Sequence, residues 1–377
     1  MYIRGELLFF AIILLMKILY VITSTDVGGA EKSLVSLVKS LSPRHTVRVV
    51  SLKKCGPVAH ELQTLGASVT SLNMTGAGLG CVSQLKKEIE AFKPDIVHAM
   101  LFRAVEFARL ACAGRNVKLV TTPHFDLSQK PRWMRWLDRA LKNMDSISTA
   151  ESVSTFNYLR DIQHYPPLKT ALIANSVEKS LFFKDNSIRV QMRAKNGFTD
   201  QDIIFLSVAR LAPVKNPIRV LQAFAQMAPN CPNAKLVFVG EGELRSDLEN
   251  LIKVNFLEDK VLLAGEQKNI NDWLNMADVF ILLSKEECLP LALLEALQVG
   301  LPCIVSKVGD MPKQVIHGKN GFVCNPQDEM LLSCLLTELY ENKQLRERMG
   351  AESLVQIGGK KDSAQQYEHL YKQLLNL

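Results

Sequence analysis

The sequence has no C-x-x-C pair, no block of lysine and arginine interleaved with aromatics, no internal repeat and no apolar run of bilayer-spanning length. Each absence removes a class. Metal and redox motifs need paired cysteines, whereas the eight here, at 55, 81, 112, 231, 288, 303, 324 and 334, are scattered. They read as small core residues in a reducing, cytoplasmic compartment. The net charge of +7 suits nucleic acid, an anionic membrane surface or a phosphorylated ligand. Without a basic groove studded with aromatics, nucleic acid ranks last.

The run Leu7–Met16, "LLFFAIILLM", is half of the roughly 20 residues that a spanning helix needs. A signal peptide would continue into small residues, but "KILYVITST" follows and reads as a first strand. Residues 1–15 are therefore an upstream extension or a short hydrophobic anchor, the extension being favoured. The first domain begins at Met16.

What is present is alternation. Short β-branched runs start near 18, 47, 68, 96, 119, 146 and 170, and again near 203, 235, 261, 279 and 303, with helical periodicity between most of them. Such alternation implies parallel strands with crossover helices. The 377 residues exceed one ordinary core and suit two. The polar stretch Lys179–Asp202 lacks an apolar strand and is the expected junction. The reading is thus α/β, with two Rossmann-like doubly wound domains at 16–184 and 185–360. In the remaining 361–377, Tyr367, Leu370, Tyr371 and Leu374 make one apolar helix face that must pack on something, and the first domain is the expected place.

Open α/β sheets bind ligands at the carboxyl ends of their strands, so the loops that follow strands carry the candidates. Gly28 and Gly29 turn the first strand into a helix, where backbone approaches an anion closely, or merely form a tight turn. Arg210 and Lys215, in "SVARLAPVKNP", place two cations at a strand end before a helix, a site for a diphosphate. Gly240 and Gly242 begin a G-x-G-x-x-G, but Arg245 takes the third place and the motif follows a second strand, against a dinucleotide-binding dehydrogenase. In "KEECLPLALLEA", Pro290 suits a first helical turn and leaves the N–H of Leu291 unpaired. Glu287 and Glu295 flank that helix start, and a carboxylate is an acceptor for sugar hydroxyls.

Glu287 and Glu295 resemble the E-x7-E motif of family 4 glycosyltransferases, retaining enzymes of the GT-B fold. "VGGAE", "PDIVHAM", "TTPHFD", "IANSVE", "ARLAPVKN", "VGEGELR", "ADVFILLS" and "NGFVCNP" follow in the family's order, so the resemblance covers nearly the whole chain from Met16. It implies two domains facing a cleft and transfer of a sugar from a nucleotide-diphosphate donor to a glycan or lipid-linked acceptor in envelope polysaccharide or lipopolysaccharide synthesis. It further implies that Arg210 and Lys215 hold the diphosphate, with Gly28 and Gly29 approaching it from the other domain. Glu295 would bind ribose, Glu287 and the Leu291 amide would face the donor sugar, His124 would lie beside it, and the backbone near Gln267 would hold the base. Asp310 and Lys313, where the family commonly has glycines and glutamate, and Ala174–Ser176, where it has Pro-Asn-Gly, are departures.

No metal or other cofactor is expected. Asp200 and Asp202 form a literal D-x-D, but in a polar turn before a strand, so they read as a solvated turn. The stretch "KPRWMRWLDRALKN" gathers Trp133, Trp136, Leu137, Ala140 and Leu141 on one helical face and Arg132, Arg135, Arg139 and Lys142 on another. Such a helix lies on an anionic membrane or packs on its own domain, and the second reading is preferred. A sugar-nucleotide-binding protein without turnover would need Arg210, Lys215 and Glu295 but neither Glu287 nor His124; both are present.

Overall fold

The computed structural model describes residues 15–76, 78–124 and 131–377. Among these, strands β1 (Lys17–Ile22), β2 (Thr46–Ser51), β3 (Ser68–Ser71), β4 (Ile96–Met100), β5 (Lys118–Thr122), β6 (Ile147–Ala150) and β7 (Thr170–Leu172) form one parallel sheet, ordered β3-β2-β1-β4-β5-β6-β7. A second runs β10-β9-β8-β11-β12-β13, from β8 (Ile203–Val208), β9 (Ala234–Val239), β10 (Val261–Leu263), β11 (Val279–Leu282), β12 (Cys303–Ser306) and β13 (Gly321–Cys324). Helices cover both faces, so β4 is buried throughout and β1 beyond its first residue, the pattern of continuous apolar runs rather than alternation. Strand order reverses between β1 and β4 and between β8 and β11. These switch points open a crevice at the strands' carboxyl ends.

The C-terminal helix Ser363–Leu374 packs back on the first sheet. Its buried Tyr371 hydroxyl meets His98 Nδ1 at 2.6 Å and the Tyr20 hydroxyl at 3.3 Å, while Tyr367 meets Thr149 Oγ1 at 3.1 Å. Burial pushes the His98 imidazole down to about 3, so it serves this network as a neutral ring. The apolar spacing foretold a buried face; the hydroxyls make that face specific to the sheet.

Several expectations need correction. Within the polar stretch 179–202 lies a helix, Asn186–Lys195, capped by Asp185. It escapes a periodicity search because arginines fasten it: the buried Arg193 donates to Met276 O at 3.1 Å and to Asp278 at 2.7 Å, and Arg189 to Asp278 at 2.6 Å. The helix after β11 starts at Leu291, with Pro290 as its extended N-cap (ψ 130°) rather than in its first turn. Cys55 and Cys334 are exposed, so core packing does not account for all the cysteines. Beyond β12 the chain adds β13 and the helices Glu329–Glu341 and Lys343–Gly358, elements outside the expected alternation.

The helix Arg132–Leu141 packs on its own domain as preferred, but only in part: Met134 and Leu137 pack against Phe102, Leu159 and Tyr165, while the tryptophans do not follow them inward. Trp133 and Trp136 are 58% and 71% exposed, and the only buried residue of the helix is Asp138. The cause is Arg109, buried beneath it. Its guanidinium donates to Asp138 at 3.0 Å, to both oxygens of Asp145 at 2.8 and 2.7 Å and to Glu106 at 2.8 Å. A buried cation without partners is far costlier than an exposed indole, so Asp138 takes the inward position. The expectation for residues 1–15 lies, but for Leu15, outside the described residues. Among those described, no helix is long and apolar enough to cross a membrane.

Candidate functional site

The helix Gly29–Leu41 follows β1, with Gly28 as its extended N-cap. A Cβ on Gly28 would lie 2.5 Å from Glu31 Oε2, whereas one on Gly29 would meet nothing within 4 Å among the described residues. Gly28 is therefore held by packing, and Gly29 presents bare backbone at a helix N-terminus with no side-chain cap. Glu31 is buried beneath, accepting from Ser24 Oγ at 3.4 Å. Burial raises its carboxyl pKa, and the Arg210 guanidinium from the other domain works against that rise. Glu31 ends the stretch "VGGAE", and only its burial marks it as more than a surface helix residue.

Arg210 is exposed at the end of β8. Lys215, five residues on, donates to Glu287 Oε1, which also accepts from Ser284 Oγ at 2.8 Å. Lys285 N donates to Val214 O at 2.8 Å and ties the two loops together. One carboxylate oxygen of Glu287 thus carries a cation and a hydroxyl, and the pair sits where strand order reverses. Behind it, Gly309 adopts φ +54°, and a Cβ there would come within 2.1 Å of Glu287 O. Only glycine permits that approach.

From Leu291 the helix runs to Val299, and its first N–H groups have no intrahelical acceptor. Glu295, one turn inside, is only 4% exposed, and its Oε2 has no hydrogen-bond partner among the described residues. Burial raises its pKa, opposed by Lys32 on the first-domain helix. A buried carboxylate oxygen without a donor costs about 1–3 kcal/mol, so the position is not explained by stability.

His124 follows β5 with φ +56°. Its Nε2 is closed off from solvent without a partner among the described residues, and burial pushes the ring down to about 4, leaving it neutral at pH 7. Gln267 lies at the same edge of the second sheet but beyond β10, where its Nε2 donates to Ala264 O at 2.7 Å. The structure thus brings Gly28, Gly29, Arg210, Lys215, Glu287, Leu291 and Glu295 to the switch points, with His124 and Gln267 farther along the two edges.

The departures from the family pattern have structural work. Asp310, 2% exposed, accepts from Val153 N at 2.6 Å and Ser154 N at 3.1 Å across the crevice, and from Lys313 Nζ at 2.8 Å. Asn175 donates to Leu289 O at 2.9 Å, and the Cys288 thiol bonds the buried Glu151 carboxylate. Those bonds join the two sheets beside Glu287. Arg245, in the third-glycine place, pairs with Glu241 in the loop before its helix at 2.5 Å and with Glu249 on the helix at 2.9 Å, and that loop is tied to the Arg210 loop by Leu211 N donating to Glu241 O at 2.9 Å. Asp200 is exposed as expected of a solvated turn, but Asp202 is buried, closing that turn by accepting from Thr199 N at 2.6 Å at the amino end of β8.

Two family profiles match: Glycosyltransferase Family 4 over residues 27–181 and Glycosyl transferases group 1 over residues 189–354. N-acetyl-alpha-D-glucosaminyl L-malate synthase of Bacillus anthracis is 29% identical over 307 residues, 79% of each chain. UDP-Gal:alpha-D-GlcNAc-diphosphoundecaprenol alpha-1,3-galactosyltransferase of Escherichia coli is 31% identical over 259 residues, 66% of this chain and 64% of that one. Anabaena HepE, solved with UDP and glucose, superposes with a TM-score of 0.83 over 96% of this chain and 100% of its own, at 21% identity, a likeness of fold. Matched in both halves, and folded as two parallel sheets facing a crevice, the chain belongs to glycosyltransferase family 4.

Proposed function

We propose that this glycosyltransferase is retaining and metal-independent, and moves a sugar from a nucleotide-diphosphate donor to a glycan or lipid-linked acceptor of the cell envelope. The observation that carries the reading is the convergence of Arg210, the Lys215–Glu287 pair, the bare N-terminus at Leu291 and the unpartnered Glu295 on one crevice. Arg210 and Lys215 take the diphosphate, with Gly28 and Gly29 closing on it from the first domain. Glu295 receives the ribose hydroxyls, which supply the donors that its Oε2 lacks. Glu287, oriented by Lys215 and Ser284, and the Leu291 amide hold the donor sugar, with the neutral His124 beside it. The base lies along the edge toward Gln267.

Breaking the anomeric bond puts negative charge on the leaving phosphate. Two cations and a helix N-terminus at the crevice stabilise that charge without a divalent ion. Glu287 is committed to Lys215, which suits positioning rather than attack as a nucleophile. Retention then follows from approach of the acceptor hydroxyl on the leaving-group face, with the departing phosphate taking its proton.

The Escherichia coli relative is named for a diphosphoundecaprenol-linked acceptor. The exposed Trp133 and Trp136 support a matching placement here, peripheral to the inner face of the cytoplasmic membrane. Between their helix and residues 158–163 is a groove of about 270 Å³ lined by Arg132, Arg135 and Arg139, suited to lipid phosphates. A thermal-shift screen of nucleotide sugars, followed by transfer of the labelled sugar from the one that stabilises, tests the proposal. Stabilisation without transfer to any lipid-linked glycan leaves the non-catalytic binding protein, and no stabilisation by any donor refutes both.

A further inference from the structure

A second cavity, of about 600 Å³, opens where the chain passes between the sheets. Its walls are Ser176–Lys179 of the crossing segment, Gln298 on the Glu295 helix, Ile357, the stretch Lys360–Asp362 and the start of the C-terminal helix. None of Arg210, Lys215, Glu287 or Glu295 lines it. Its charge is unbalanced. The two acids are engaged elsewhere: Glu178 pairs with Lys39 at 2.8 Å, and Asp362 caps the C-terminal helix by accepting from Ala364 N at 2.9 Å. That leaves Lys179, which donates to Gly358 O at 3.0 Å, Lys360, which donates to the Gln314 amide oxygen, and Lys361, whose side chain has no hydrogen bond or ion pair among the described residues. Burial pushes Lys360 down to about 8, because the amide it meets carries no charge and Asp310 acts only from beyond ion-pair distance. Gln298 also lines the cavity, and its Oε1 is buried with no partner among the described residues, an acceptor without a donor.

We propose that this hinge cavity is a second ligand site, for a small phosphorylated polyol such as a hexose phosphate, and that its occupancy is coupled to donor binding in the crevice. The phosphate answers the Lys360–Lys361 corner, and a hydroxyl answers Gln298. The coupling, which rests on the donor reading above, runs through one helix: Gln298 is three residues beyond Glu295, and the crossing segment and C-terminal helix join the two domains. A ligand that fixes this corner fixes the angle of both domains over the donor. By linkage the donor must then change the affinity for the hinge ligand by the same factor, about 5- to 150-fold in ordinary cases.

Calorimetric titration of the full chain with glucose 6-phosphate, and separately with inorganic phosphate, tests the site. Saturable glucose 6-phosphate binding is expected in the wild type and in Lys215→Ala, which cripples the crevice. It should weaken by about tenfold or more in Lys179→Glu/Lys361→Glu. Gln366→Glu, a single change on the same wall, should weaken it in the same direction and covers the event that the double variant misfolds. Binding lost in Lys215→Ala but kept in the double variant assigns the anion to the crevice and overturns the proposal, as does no binding at about 10 mM, where only about −3 kcal/mol would suffice. Equal affinity for inorganic phosphate overturns the polyol part. An unchanged affinity for the stabilising nucleotide sugar overturns the coupling, whereas absence of any donor binding in the wild type strikes the donor reading alone.

Discussion

Replacing Glu295 by glutamine sets stability against function at one position. The carboxylate is 4% exposed, its Oε2 is unpartnered and burial raises its pKa, so the ionised form is strained in the free protein. An unmet charged acceptor costs about 1–3 kcal/mol, and a neutral amide of the same shape still wants partners, so the net gain should be about 1 kcal/mol. For domains of this size that raises Tm by about 2–4 °C. The sign of the pH dependence follows from the raised pKa. The folded state holds the proton more tightly, so wild-type stability falls as pH rises from the ordinary carboxyl value of 4.5 through the folded value. Glu295→Gln removes that dependence, and the two proteins should differ little below pH 4.5 and most at neutral pH. Donor affinity moves the other way. Losing charge-assisted bonds to ribose hydroxyls costs about 1.5–3 kcal/mol, or about 10- to 150-fold in Kd. Melting curves from pH 4 to 8 and calorimetry with the stabilising nucleotide sugar measure both. A variant that melts lower than wild type at neutral pH, or binds the donor within about twofold of it, refutes the assignment of Glu295 to a ligand.

Lys215→Ala and Glu287→Ala should each lower kcat by about 100-fold or more, read in single-turnover sugar transfer, since each removes charge or orientation at the breaking bond; near-normal turnover in either removes that residue from the chemistry. Turnover should persist in excess chelator, and strict dependence on magnesium or manganese would overturn the metal-free reading. Trp133→Ser/Trp136→Ser should reduce sedimentation with vesicles rich in anionic lipid while leaving Tm within about a degree, because both rings are already exposed; equal pelleting with neutral and anionic vesicles removes the membrane surface. Asp310→Asn should cost about 1.5–3 kcal/mol of interdomain bonding, seen by small-angle scattering as a more open molecule with a raised donor KM; an unchanged radius of gyration would show that other bonds set the crevice.

Periodicity, turn residues and motif order were enough to place most of the strands, the two sheets and the crevice loops, because a parallel strand must be apolar on both faces and a strand-to-helix loop must supply special backbone. They were enough, too, to single out Glu287 and Glu295, since carboxylates in an otherwise apolar segment have no role in a core. Tertiary structure alone decided whatever depends on a partner distant in sequence. It fastened Asn186–Lys195 through Arg193 and Asp278, and turned the tryptophans of 132–141 outward by drawing Asp138 to Arg109. It also buried Glu31 beside Arg210 and bridged the sheets through Asp310. A charge pair carries no periodicity. Its energy depends on where two remote segments meet and how little water is left between them, and neither is written along the chain.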